Sequence, residues 1–105
     1  MKVTNMASAR GNTVPNQYII TGHKHYGEGA NEAHVTNRVE VFQSYATVIV
    51  KKEYSACGDV VVELDTNAWN YSRTTSKHRN QFLGETTKET QKKIDSGEYT
   101  LKDLN

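Results

Sequence analysis

Residues 38–53 read RVEVFQSYATVIVKKE, and this stretch decides the fold. Between 38 and 45 the side chains alternate. Val39, Val41, Gln43 and Tyr45 fall on one face of a strand, and Arg38, Glu40, Phe42 and Ser44 fall on the other. Residues 47–53 (TVIVKKE) follow at once, and their β-branched run suits a central strand. The break at Tyr45-Ala46 is either a tight turn between two strands or a bend within one long strand.

Working outward, residues 17–21 (QYIIT) form a strand candidate that Gly22 ends. Residues 1–16 are polar, hold the only proline and read as an arm or a tail, with a turn at Arg10-Gly11-Asn12. Residues 22–37 have no periodicity and read as a flexible loop insertion, since a segment this long without structure is unusual in a compact domain. A turn centred on Cys57-Gly58 leads to a further strand at 60–64. Residues 72–83 read as a helix with a hydroxyl cap at Ser72, Thr74 or Thr75 and a stop at Gly84. A second helix begins at Thr86, where Glu89 supplies the capping-box partner, and stops at Gly97. Its one strong apolar residue is Ile94, so most of it faces water, while Tyr99, Leu101 and Leu104 dock the C-terminus. The expected architecture is one α+β domain over 1–105: a small antiparallel β-sheet of three to four strands with one or two C-terminal helices.

The bulk properties narrow the function. One cysteine, Cys57, rules out an internal disulfide, and no apolar run is long enough to cross a bilayer. The N-terminus lacks the apolar stretch of a signal peptide, so the expected location is the cytoplasm, that of the host cell if the protein is phage-encoded. The net charge of +1 gives no global field, yet the charge is uneven. Residues 72–93 carry six basic and two acidic groups, whereas the remainder carries seven basic and ten acidic ones.

Three constellations could carry chemistry. The region 69–79 (WNYSRTTSKHR) places Tyr71, Ser72, Arg73, Thr74, Thr75, Lys77, His78 and Arg79 around a helix start with no acidic residue among them. Free N–H groups, hydroxyls and bidentate guanidinium groups suit phosphate or carboxylate, and Trp69 and Tyr71 offer stacking faces. The second is His23-x-His25 with His34 or Glu32, whose spacing allows a zinc site. The third is enzymatic, and it lacks every familiar phosphate loop, nucleophile elbow or zinc-protease signature. Glu63 and Asp65 share a strand face without further support, and Cys57 before Gly58 reads as a turn residue.

An ordered series carries a resemblance: NQYII at 16–20, FQSY at 42–45 followed by Val48-Ile49, WNYSRTTS at 69–76 with His78-Arg79, and Phe82-Leu83-Gly84. It resembles a family of small uncharacterised proteins found in phages, mobile elements and Firmicutes, a domain of unknown function. The resemblance implies no activity. Its context implies an accessory protein that binds and inhibits a host protein or nucleoprotein, as anti-CRISPR and other anti-defence proteins do. Direct nucleic-acid binding is the alternative, and a metal-dependent enzyme using the histidine loop is the second alternative. The expected protein is therefore not an enzyme, needs no cofactor or membrane, and contacts a partner through residues 71–79 and the loop 22–37, with homo-oligomerisation through a sheet edge also allowed for.

Overall fold

The computed structural model describes residues 1–8, 10–26 and 35–105. Its elements are β1 (Lys2–Ala7), β2 (Thr13–Tyr26), β3 (Val35–Ser44), β4 (Thr47–Tyr54), β5 (Val60–Asp65), α1 (Arg73–Leu83), α2 (Thr87–Asp95) and β6 (Tyr99–Lys102). The six strands form one sheet in the order β1-β2-β3-β4-β5-β6. The first five make an antiparallel meander. β6 then lies parallel to β5, because α1 and α2 carry the chain back along the sheet before it re-enters.

The expected three-to-four-stranded antiparallel sheet is corrected to a six-stranded mixed one. Two strands were missed for identifiable reasons. β1 is an edge strand whose residues are exposed apart from Met6, so it carries no apolar alternation. β6 buries only Tyr99 and has four residues, too short for a period to show. The β2–β3 pairing also runs on past Gly22, through His23↔Arg38 to Tyr26↔Val35. Residues 22–26 and 35–37 are therefore strand, where a loop was expected, and 27–34 lie outside the described residues. Tyr45-Ala46 is a tight turn: Tyr45 has φ +54°, and its N–H donates to the Asn16 carbonyl at 2.7 Å.

One face of the sheet holds the core. Phe42, Val50 and Leu64 are cross-strand neighbours with no exposed surface. Phe82 of α1 stacks on Phe42 with ring centroids 5.9 Å apart. Beside them a bulge leaves Ile49 unmatched between the pairs Phe42↔Val50 and Gln43↔Val48, so Ile49 and Val50 are both buried despite being consecutive. The register places Val3, Ile20, Val41, Lys51 and Glu63 in a row on the other face.

Both helices have the caps that their sequences require. Ser72 accepts from the Thr75 N–H, and Gly84 ends α1 in the left-handed conformation. Thr86 and Glu89 form a reciprocal capping box. Thr86→Ala therefore should cost about 1 kcal/mol of stability by chemical denaturation.

A candidate binding surface on the first helix

The structure divides the eight expected contact residues into two groups. Tyr71, Arg73, Thr74 and Lys77 are exposed. Arg73 and Lys77 are four residues apart and so lie one above the other on the outer side of α1. Neither has a charged or hydrogen-bonding partner among the described residues. Arg73 also occupies the first turn, where a cation is unfavourable to the helix dipole and no acidic residue offsets it. Tyr71 is 53% exposed and borders a shallow depression together with Asn70, Ser72, Arg73 and Ser76.

The second group serves the fold. Thr75 is buried and shares a hydrogen bond with Ser44 at 3.2 Å, tying α1 to β3. Ser72 is the cap, and His78 is 8% exposed with Nδ1 donating to the Thr74 carbonyl at 2.8 Å. Arg79 has no exposed surface. One of its terminal nitrogens donates to the Trp69 carbonyl and to Asn70 Oδ1, the second at 3.1 Å. The other donates to Asn80 Oδ1 at 2.9 Å and to Thr87 Oγ1 at 2.6 Å. The guanidinium lies over the Trp69 ring, 5.1 Å from its centroid. Burial lowers its pKa, and the charge of Glu85 acts in the opposite direction. Arg79 thus joins the 65–72 turn, α1 and α2 into one unit, and it presents nothing to a partner. Trp69 is committed to the same contact and to the core.

The remaining cations divide the same way. Lys93 pairs with Glu85 at 2.8 Å and lies nearer than 4 Å to Glu98. Lys88 and Lys92 of α2 are exposed without a partner among the described residues, again four apart. So the charge excess read from 72–93 becomes two exposed pairs of cations, Arg73 with Lys77 and Lys88 with Lys92.

The other sequence candidates have assigned contacts or lie elsewhere. Glu63 pairs with Lys51 and Lys102, while Asp65 accepts backbone hydrogen bonds from Asn67, Ala68 and Leu104. Among the described residues no group of three or more His, Cys, Asp or Glu could hold a metal ion. Glu32 and His34, the expected third ligands of the histidine site, lie outside the described residues. Cys57 is exposed in its turn, with Sγ near Ser55 Oγ and Asp59. No helix among the described residues is long and apolar enough to cross a membrane.

Sequence reading missed one feature. Lys77, His78 and Gln81 of α1 face the β1–β2 turn across a cleft that Ser8, Arg10 and Val14 complete. Only the hairpin register brings residue 10 to residue 77, and that register was illegible because β1 was not recognised.

A family model described as "Family of unknown function (DUF8033)" matches residues 1–98, and the chain belongs to that family. No curated protein and no solved structure matches it.

Proposed function

We propose that this protein is a binding module that docks an anionic surface of a partner onto the outer side of α1. The partner is a host protein or nucleoprotein, which the protein inhibits, if the chain serves a phage or mobile element. The observation that supports this reading is the unpaired, exposed couple Arg73 and Lys77, with Tyr71 beside them. Arg73 weakens its own helix start, so its presence there is better explained by an external contact than by stability. Guanidinium matches carboxylate or phosphate in a bidentate fork, and Lys77 adds a point charge one turn on.

A second reading, direct binding of nucleic acid, draws on the same couple plus Tyr71, whose exposed ring can stack on a base. Salt separates the two. Binding to phosphates releases counterions and falls steeply with salt, and removing two phosphate contacts flattens the log–log slope by about 2. A gel-shift series with no complex at low salt removes the nucleic-acid reading.

The test of the main reading is the double variant Arg73→Glu/Lys77→Glu in a pulldown from host lysate. Both residues are exposed, so the variant should keep its stability to within roughly 0.5 kcal/mol. The expected result is a partner captured by the parent protein and lost by the variant. Equal capture by both removes the α1 surface.

A further inference from the structure

The cleft between the β1–β2 turn and α1 has the features of a small anion site. Its volume is about 510 Å³, within the range of small-ligand sites, roughly 300–1,000 Å³. The lining residues are Ser8, Arg10, Val14, Lys77, His78 and Gln81, and none is a carboxylate.

The cleft is held open by specific contacts. Gln81 Nε2 donates to the Ala7 carbonyl at 2.6 Å, fixing the end of β1 to α1. The turn closes through Ser8 N–H to Asn12 O and Gly11 N–H to Ser8 O, each 2.8 Å. Gly11 sits at φ +81°, a conformation that glycine adopts at little cost, and this brings Arg10 to the rim.

The donors left over point to the ligand. Arg10 and Lys77 are exposed cations with no partner among the described residues. Ser8 Oγ accepts from the Asn12 N–H at 3.2 Å, so its hydroxyl hydrogen remains to be donated. His78, mostly buried, lines the cleft; its Nδ1–H is spent on a carbonyl, and Nε2 has no hydrogen-bond partner among the described residues. As imidazolium, Nε2 donates to an anionic oxygen; as the neutral ring, it accepts from a protonated one. The cleft thus offers an oxyanion two cations, a hydroxyl donor and an imidazole nitrogen. Val14 supplies an apolar wall beside them.

We infer that this cleft binds a phosphate group, carried by a phosphate monoester whose organic body lies against Val14. The inference shares Lys77 with the surface proposed above but does not need a macromolecular partner, so the two stand or fall separately.

The probes are inorganic phosphate and phenyl phosphate, titrated into the ¹⁵N-labelled full chain at constant ionic strength. Saturable shifts are expected at the amides of Ser8, Arg10, Gly11, Lys77 and His78. Arg10→Ala, in an exposed turn and outside the partner surface, should weaken binding at least about tenfold, whereas Lys88→Ala should leave it unchanged. Tighter binding of phenyl phosphate identifies the ester as the ligand. Equal affinity retains the phosphate site but assigns it to free phosphate. Absence of saturation with both probes, or undiminished affinity in Arg10→Ala, overturns the inference.

Discussion

Replacing Arg79 with alanine should destabilise the protein by roughly 3–5 kcal/mol, the range seen when a buried charged network loses its central member. The side chain has no exposed surface and serves five acceptors: the Trp69 carbonyl, Asn70, Ser76, Asn80 and Thr87. Truncation takes a donor from the Trp69 carbonyl and from Asn70, Ser76, Asn80 and Thr87, of which Asn70 keeps its bond from Ser76 and Asn80 and Thr87 keep theirs to each other, and each buried polar atom left without a partner costs about 1–3 kcal/mol. It also removes the cation from the Trp69 ring and opens a void between α1 and the turn before it. Lysine is no substitute, since one ammonium cannot span acceptors that the planar guanidinium reaches from two terminal nitrogens. Urea denaturation checks the expectation. A change within about 0.5 kcal/mol, typical of surface positions, would contradict the structural role. This bears on functional tests too, because loss of binding in an Arg79 variant would report unfolding.

Replacing Glu85 with leucine should cost roughly 2–3 kcal/mol and flatten the acid limb of the stability profile. The Glu85 side chain is 4% exposed and bound on both oxygens. Oε1 accepts from Tyr99 at 2.6 Å and from Thr90 at 3.2 Å, and Oε2 pairs with Lys93 at 2.8 Å. This carboxylate therefore ties the end of α1 to α2 and β6. Burial pushes its pKa up, but the hydrogen bonds from Lys93, Tyr99 and Thr90 and the Lys93 charge outweigh burial and hold it below the usual range. Asp65 behaves alike: burial raises it, and hydrogen bonds from Leu104, Asn105, Asn67 and Ala68 bring it below the usual value. A carboxylate depressed in the folded state contributes stability above its unfolded pKa, about 4, and that stability is lost as pH falls through the folded value. The alkaline side has the opposite sign. Burial and the Glu85 hydrogen bond push Tyr99 up to about 12, and the same carboxylate raises Lys93. The unfolded chain gives up these protons from about pH 10, so stability should decline from there upward. Denaturation midpoints across pH should show a plateau from roughly pH 5 to 9 with a fall on each side. A profile flat down to pH 2, or unaltered in the Glu85 variant, would contradict this assignment.

The central part of the fold was legible because its strands are half-buried and keep a period of two. β3, β4 and β5 were found from Val39–Val41, the β-branched run after Thr47 and residues 60–64, and both helix starts were found from their hydroxyl caps. What was missed shares one cause. β1, the outer part of β2 and β6 are held by backbone pairing to a neighbour, and their side chains bear little apolar pattern. The sites followed the same division. Local spacing located Arg73 and Lys77 on one side of α1. It gave no means of separating them from Arg79, because burial of that guanidinium depends on Thr87 of a different helix and on the turn at Trp69. Ser8 and Arg10 were invisible as neighbours of Lys77 for want of the hairpin register.

The most direct measurement follows the arginine Nε–H signals of the intact protein while oligothymidylate is added as a polyanion. Arg73 is exposed and unpaired, whereas the Nε of Arg79 is buried. The Arg73 signal should exchange rapidly with water and move as the probe is added, and the Arg79 signal should exchange slowly and stay in place. An Arg79 signal that exchanges as fast as that of Arg73 and shifts along with it would contradict the division between a contact arginine and a structural one.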